Sequence, residues 1–137
     1  MQYEQVNQKI KEALLLIEIG RTGFAEANDR ATKFLIIVAL LGDYLYEIDM
    51  ELVKLKTLKD ASFCEAISEV PSIDSTGNKI KMTVTEKKTY VNGSKSYTDN
   101  REAYEELEAL KTWIQGNMKI FSDAHIHYRQ MARNEGN

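Results

Sequence analysis

The chain has 137 residues, 43% of them hydrophobic and 28% charged, with a formal charge of −3 and a single proline. This length predicts one domain with a hydrophobic core of its own. An acidic chain carries no overall basic signature, so nucleic-acid binding can be argued only from local patches of positive charge. The lone Cys64 excludes an internal disulfide and is typical of a reducing cytoplasm, where we expect the protein.

The N-terminal sequence MQYEQVNQKIKEALLLIEIG has no basic stretch ahead of an apolar segment, so we expect no signal peptide. Apolar residues recur in it at helical spacing, which predicts a first amphipathic helix over residues 4–18. This stripe consists of Val6, Ile10, Ala13, Leu14 and Ile17. Gly20 and Gly23 are expected to end the helix, and Thr22 is a candidate cap for the next one.

The second predicted helix covers residues 24–69, because no strong breaker occurs before Pro71. Apolar residues alternate along it in steps of three and four, which is the seam of a coiled coil. The seam comprises Ala31, Phe34, Val38, Leu41, Leu45, Ile48, Leu52 and Leu55. Such a helix would be about 66 Å long at 1.5 Å per residue. A compact monomer of this size has a radius of gyration of only about 14 Å.

An unbroken apolar run, FLIIVALL, occupies residues 34–41 of this helix. It is far shorter than the roughly 20 residues that a membrane span needs, so we expect no membrane contact. Residues one or two apart lie on different helix faces, and the other two helices can cover only part of this apolar surface. We therefore predict a homo-oligomer; the alternative is a central helix buried in a monomeric bundle. The predicted oligomer interface comprises Phe34, Ile36, Ile37, Val38, Leu40, Leu41 and Leu45.

Residues 70–98 form a polar and basic connector, in which we expect a short helix near Thr85–Tyr90. A third helix is predicted over 99–133, with Asp99 as its N-cap and Glu102 completing a capping box. The predicted fold is all-α. Its short N-terminal helix, long central helix and long C-terminal helix pack as an extended helical hairpin within a homo-oligomer.

The segment DAHIH, residues 123–127, is the only concentration of side chains that could bind a metal. Asp123 and His127 are four apart and can share a helix face, but two ligands do not make a site. We expect no metal, no cofactor and no catalytic residue, so the chain is predicted not to be an enzyme. An enzyme built on Asp123 and His127 is a distant alternative.

Positive charge is concentrated in the connector, where residues 79–101 carry six basic and two acidic side chains, a balance of +4. Lysines that contact phosphates, interleaved with rings on which bases stack, are what single-strand binding requires. A second cluster, Lys54, Lys56 and Lys59, lies where the apolar seam of the second helix ends. The candidate DNA-binding residues are Lys56, Lys59, Lys87, Lys88, Lys95 and Tyr90. The alternative is that both clusters are solvated surface.

Four segments, in order along the chain, resemble the UvsY-type family of phage recombination mediators. They are FAEAND at 24–29, LKTLKD at 55–60, TEKKTYV at 85–91 and the basic tail HYRQMARNEGN at 127–137. The resemblance implies a small helical oligomer that binds single-stranded DNA. It also implies a protein that helps a RecA-like recombinase replace the single-strand binding protein, in the cytoplasm of the phage host.

On this resemblance, Lys56 and Lys88 are the matched basic positions, whereas Lys59, Lys87 and Lys95 are added from local charge alone. No catalytic residue is expected in such a protein. The strongest rival is a non-enzymatic helical protein-interaction module, such as a phage inhibitor of a host protein, for which an acidic chain is suited. Loss of affinity for single strands with rising salt distinguishes the two.

Overall fold

A computed structural model describes the chain over residues 3–18, 23–73 and 75–136. These ranges contain four helices: α1 (Tyr3–Glu18), α2 (Phe24–Ser68), α3 (Val84–Asn92) and α4 (Lys95–Gly136). The predicted all-helical fold is confirmed, with long central and C-terminal helices that pack together. In the described ranges, no helix is both long enough and apolar enough to cross a membrane. Gly20 and Thr22, predicted to end one helix and to cap the next, lie outside them.

The C-terminal helix begins earlier than the sequence predicted, so Asp99 is not its N-cap. Helix α4 starts at Lys95, and Asp99 lies inside it. Ser94 caps this end, because its carbonyl oxygen accepts a hydrogen bond from the Thr98 amide at 3.0 Å. The Ser94 hydroxyl also accepts a bond from the Tyr97 amide at 3.5 Å. Serine is as good an N-cap as aspartate, and here it comes first along the chain.

The chain forms two compact units, and helices α2 and α4 contribute to both. The first unit comprises residues 1–48 and 110–137, and the second comprises residues 49–109. Every candidate DNA-binding residue lies in the second unit, whereas the predicted oligomer interface lies in the first.

An aromatic stack lies at the centre of the first unit. The Phe34 ring from α2 lies 5.9 Å from the Phe121 ring and 5.5 Å from the Tyr128 ring of α4, both nearly parallel to it. Val6 and Ile10 of α1, which are 0% and 1% exposed, are buried in the same unit. Burial of these side chains removes a large apolar area from water and holds the three helices together.

Hydrogen bonds fix how the helices of the first unit are placed. The Tyr128 hydroxyl donates to the Leu16 carbonyl of α1 at 3.2 Å. The His125 Nδ1 atom lies 2.8 Å from the Ala31 carbonyl of α2. Because a carbonyl oxygen can only accept, Nδ1 carries the proton and donates it. Helix α4 is thereby bonded to both of its neighbours within this unit.

In the second unit, α2 and α4 pack through a more polar interface. The Asn100 side-chain amide donates to the Ser62 hydroxyl at 3.2 Å, and that hydroxyl donates to the Leu58 carbonyl at 2.9 Å. The Phe63 and Tyr97 rings meet edge to face, with their centroids 5.6 Å apart. Bonds of this kind specify one register between two helices, because a shift leaves buried polar groups unpaired.

Candidate nucleic-acid interface

Helix α3 has only nine residues, so it depends on its caps. The Glu86 amide donates to the Thr83 hydroxyl at 3.1 Å, and the Thr83 amide donates to the Glu86 carboxylate at 3.4 Å. This is a capping box, in which two otherwise unpaired donors are satisfied reciprocally. At the other end, the Gly93 amide donates to the Thr89 and Tyr90 carbonyls, each at 3.1 Å. Both ends of a helix too short to be stable alone are therefore closed.

Tertiary bonds attach α3 to the rest of the second unit. The Tyr90 hydroxyl donates to the Glu69 carbonyl, just past the end of α2, at 3.0 Å. Asn92 binds α4 twice: Arg101 donates to its side chain at 3.2 Å and the Thr98 hydroxyl donates to its carbonyl at 3.0 Å. These bonds give α3 a fixed position, with the exposed side chains of its outer surface facing water.

Three predicted lysines are exposed on α3 and at the start of α4, namely Lys87, Lys88 and Lys95. Among the described residues, no carboxylate forms an ion pair with any of them. Lys54, by contrast, lies 3.9 Å from Glu51 on the same helix. Ammonium groups that are not already neutralised can contact phosphates and release their counterions. The short helix therefore presents free positive charge on a fixed backbone.

Lys87 also lines an open cleft of about 540 Å³, together with Lys81 and Ser72. The other lining residues are apolar: Ile67, Val70, Pro71, Ile80 and Met82. None of the lining residues within the described ranges is acidic. We refer to this site as the lysine cleft.

The predicted stacking residue, Tyr90, lines other clefts than the lysine cleft. Its ring is 37% exposed and borders two clefts, of about 370 and 530 Å³. Glu86 lines the first, and Glu69 and Lys95 line the second. Carboxylates repel phosphates, so stacking at Tyr90 is less favourable than its sequence neighbours suggested. Tyr90 and Lys95 line one cleft together, whereas Lys87 lines a different one.

Lys56 and Lys59 form a separate group on α2. The Lys59 ammonium lies 4.4 Å from the centroid of the Tyr104 ring of α4, a cation–π contact that holds it in place. Lys56 is exposed and has no ion pair with any residue in the described ranges. Lys59 lies about 14 Å along the helix axis from Ser68, the last residue of α2, next to which α3 is bonded at Glu69. The structure therefore divides the predicted lysines into two groups.

The burial of individual side chains divides the predicted oligomer interface into two parts. Phe34, Ile37 and Leu41 are 0%, 6% and 1% exposed within the single chain, so the prediction that other copies cover them is wrong. Ile37 borders a groove together with Ala13 and Leu16 of α1, which lies over it. The rest of the predicted interface reaches the surface. Ile36 is 55% exposed, and Val38, Leu40 and Leu45 are half-buried.

The histidine segment does not assemble a metal site in the described part of the chain, where no group of three possible ligands comes together. His125 is half-buried and bonded to the Ala31 carbonyl. Asp123 and His127 are both exposed on α4.

Sequence reasoning missed Lys81, Ser72 and the other walls of the lysine cleft, because residues from three separate segments meet there. One signal was present in the sequence. Thr83 and Glu86 have the spacing of a capping box, which marks the start of α3 at Val84.

None of the protein-family models, curated proteins or solved structures compared with this chain matches it.

Proposed function

We propose that this protein is a non-enzymatic, single-stranded DNA-binding recombination mediator of the UvsY type. Its task would be to help a RecA-like recombinase replace the single-strand binding protein on a DNA strand. The observation that carries the DNA-binding part is the fixed position of α3, on which Lys87 and Lys88 have no ion pair with any described residue. The mediator part rests on the resemblance of four ordered segments to that family.

Charge distribution supports binding to a polyanion despite the acidic chain. Residues 79–95 carry five lysines and one acidic residue, Glu86. Four acidic residues of the second unit lie farther along α4, at Glu102, Glu105, Glu106 and Glu108, whereas Glu69 lies beside Tyr90. Exposed charges more than about 10 Å apart are largely screened at 0.1 M salt, so the lysines act on a strand as a local patch.

A single strand suits this surface better than a duplex. The lysine cleft and the larger of the two clefts at Tyr90 are concave and are lined by lysines, so they can accept bases that are not paired. In a duplex the bases are stacked inside the helix, and only the phosphates reach such a surface.

Weak contacts from one chain gain strength when several copies bind the same strand. A few lysines give a modest and salt-sensitive affinity, whereas linked sites add through a high effective concentration. We propose a homo-oligomer that meets through the outer face of α2. Leu35, Ile36 and Tyr46 are 54%, 55% and 67% exposed there, and an interface would remove this apolar area from water.

The test is the binding of a labelled oligo-dT strand as a function of salt. The parent protein should bind at low salt and lose affinity steeply as salt rises. The double variant Lys87→Ala with Lys88→Ala should bind more weakly, with a salt slope smaller by up to about two units, because each lost contact removes one counterion-release term.

A matched control comes from the first unit. Lys9 and Lys11 are exposed lysines on α1, and replacing both by alanine changes the net charge by the same amount. This variant should bind oligo-dT like the parent. Equal weakening by both double variants would mean that only net charge matters, and an absence of parent binding at low salt would refute DNA binding.

The exposed apolar residues of α2 favour a second candidate, a helical protein-interaction module that inhibits or engages another protein. A helix with an exposed apolar stripe is a common way to fill a groove on a partner. Such a module should bind no single strand at any salt concentration, so the same titration separates the two functions.

A further inference from the structure

The lysine cleft is formed by three segments that converge in the second unit. The end of α2 contributes Ile67, the first turn of α3 contributes Lys87, and a short hairpin between them contributes Ser72 and Lys81. The Ile80 amide donates to the Ser72 carbonyl at 2.9 Å, and Ile73 and Lys79 form an antiparallel bridge.

Gly77 allows this hairpin to turn. Its φ of +86° lies in the left-handed region that other residues rarely adopt. The turn brings Ser72 and Ile80 side by side in one wall of the cleft, so the backbone of this wall is held by hydrogen bonds.

The lining of the cleft combines apolar surface with positive charge. Five apolar side chains form most of its wall, and the Lys81 and Lys87 side chains supply two ammonium groups without an ion pair among the described residues. The Ser72 hydroxyl makes no hydrogen bond within those residues and is free to bind a ligand. The volume of about 540 Å³ lies in the range of small-molecule pockets, roughly 300 to 1,000 Å³. A ligand that fits has a flat apolar part, a polar edge and a negative charge.

Positive charge continues beyond the cleft. Lys79 lies in the hairpin and Lys88 follows Lys87 on α3; both are exposed and neither has an ion pair with a described residue. A single small anion or an acidic peptide end needs only the charges inside a pocket. Further cations on the segments that form the cleft suit a longer polyanion in which charges repeat along a backbone.

We propose that the lysine cleft is a subsite for one unstacked nucleotide of a bound single strand. The base lies against the apolar wall, the Ser72 hydroxyl bonds to its edge, and its phosphate is held by Lys81 and Lys87. Apolar side chains bind the faces of an extruded base in the same way as aromatic rings do. This inference rests on the proposed DNA binding and adds to it a site that binds a base as well as the phosphate backbone.

The test fills the cleft without changing its charge. Ser72→Trp places an indole where the base would lie, and Ser75→Trp, in the same hairpin but outside the cleft lining, is the matched control. Two labelled probes are used: oligo-dT, and an abasic strand with the same number of phosphates. Ser72→Trp should bind oligo-dT roughly tenfold more weakly, because stacking of one base is worth about that much. Its binding to the abasic strand and its salt slope should equal those of Ser75→Trp.

Lys87→Ala should behave differently. It should weaken binding to both strands and lower the salt slope by about one unit, since the phosphate contact does not depend on a base. Ile80→Ser is a second variant that removes part of the apolar wall, and it should again weaken oligo-dT alone. It keeps the test decisive if circular dichroism shows that Ser72→Trp does not fold.

Three results would overturn the subsite. In the first, Ser72→Trp and Ile80→Ser bind oligo-dT like the parent. In the second, both variants lose affinity equally for the two strands, which would make the cleft a phosphate site only. A peptide of alternating aspartate and leucine could bind the parent and not Ser72→Trp while oligo-dT binding is unchanged, which would make the cleft a peptide site. Failure of the parent to bind either strand at low salt would instead refute the proposed function itself.

Discussion

Phe34 and Ile36 are neighbours in one apolar run, yet they have opposite roles. Phe34 is fully buried in the aromatic stack, whereas Ile36 is 55% exposed. Phe34→Ala should lower the free energy of unfolding by about 3 to 5 kcal/mol, because it leaves a cavity in a close-packed core. Leu15→Ala, on a side chain of α1 that is 61% exposed and lies outside the proposed interface, should change it by less than about 0.5 kcal/mol. Urea denaturation of the two variants measures this difference, and equal losses would contradict the placement of these side chains.

Tyr44 provides a pH-dependent prediction. Burial raises its pKa above the ordinary value of 10.0, and the charges of Glu47 and Tyr3 add to the shift. The folded state then holds the phenolic proton more tightly than the unfolded state does. The resulting stability is fully present below pH 10.0 and is lost as the pH rises through the higher pKa of the folded state.

Tyr44→Phe removes this proton and keeps the ring. The free energy of unfolding of the parent should therefore fall more steeply than that of the variant between about pH 9 and pH 11. Urea denaturation at several pH values gives both curves. Parallel curves would show that the Tyr44 pKa is the same in the folded and unfolded states.

Where a prediction was based on the periodicity of apolar residues, the sequence identified individual core residues correctly. Phe34, Leu41, Ile48 and Leu52, all on the predicted seam, are buried. Periodicity did not predict that Ile37 is covered, because that depends on where α1 lies. Contacts between distant segments set that position, among them the Tyr128 bond to Leu16, and no local pattern records them.

Among the helices, the stability of α3 depends most on a single side chain, that of its N-cap Thr83. Thr83→Ala removes the hydroxyl that accepts from the Glu86 amide, and a lost N-cap costs about 1 kcal/mol. Amide hydrogen exchange should become faster across α3, by about fivefold for this cost. Thr85→Ala, two residues on, is the control, because its exposed side chain caps nothing and alanine favours a helix. Equal exchange in both variants would show that the capping box does not hold the helix.

Helix interiors followed from the sequence, but their ends did so only in part. The sequence predicts the start of α4 at Asp99 because Asp99 and Glu102 have the spacing of a capping box. Its actual first turn, from Lys95, is held by the contact of Tyr97 with Phe63 of α2. The lysine cleft was not predictable, because Ile67, Ser72 and Lys87 are far apart in sequence and meet only after folding.

For the whole molecule, the central structural prediction is a homo-oligomer. Replacing Leu35 and Ile36 by glutamate should dissociate it, because two carboxylates would enter an apolar interface. Ile126→Glu, on an equally exposed residue of α4, is the control. Light scattering at micromolar concentration measures the mass, and a monomeric parent would refute the oligomer. Ile37→Glu is unsuitable for this test, because Ile37 is buried within its own chain.

The net charge of the whole molecule gives no indication of its candidate site. A formal charge of −3 argues against nucleic-acid binding, and composition alone supports that conclusion. The lysines of residues 79–95 differ from the other charges because the fold places them around one short helix and one cleft. A strand of DNA should therefore protect lysines of this group and not those of α1.

Lysine footprinting tests that claim most directly. The protein is acetylated with and without saturating oligo-dT at low salt, and the modification of each lysine is measured by mass spectrometry. We expect the strand to protect Lys81, Lys87 and Lys88, while Lys9 and Lys11 on α1 react equally in both samples. Equal reactivity of all five lysines, or protection confined to α1, would contradict the proposed interface.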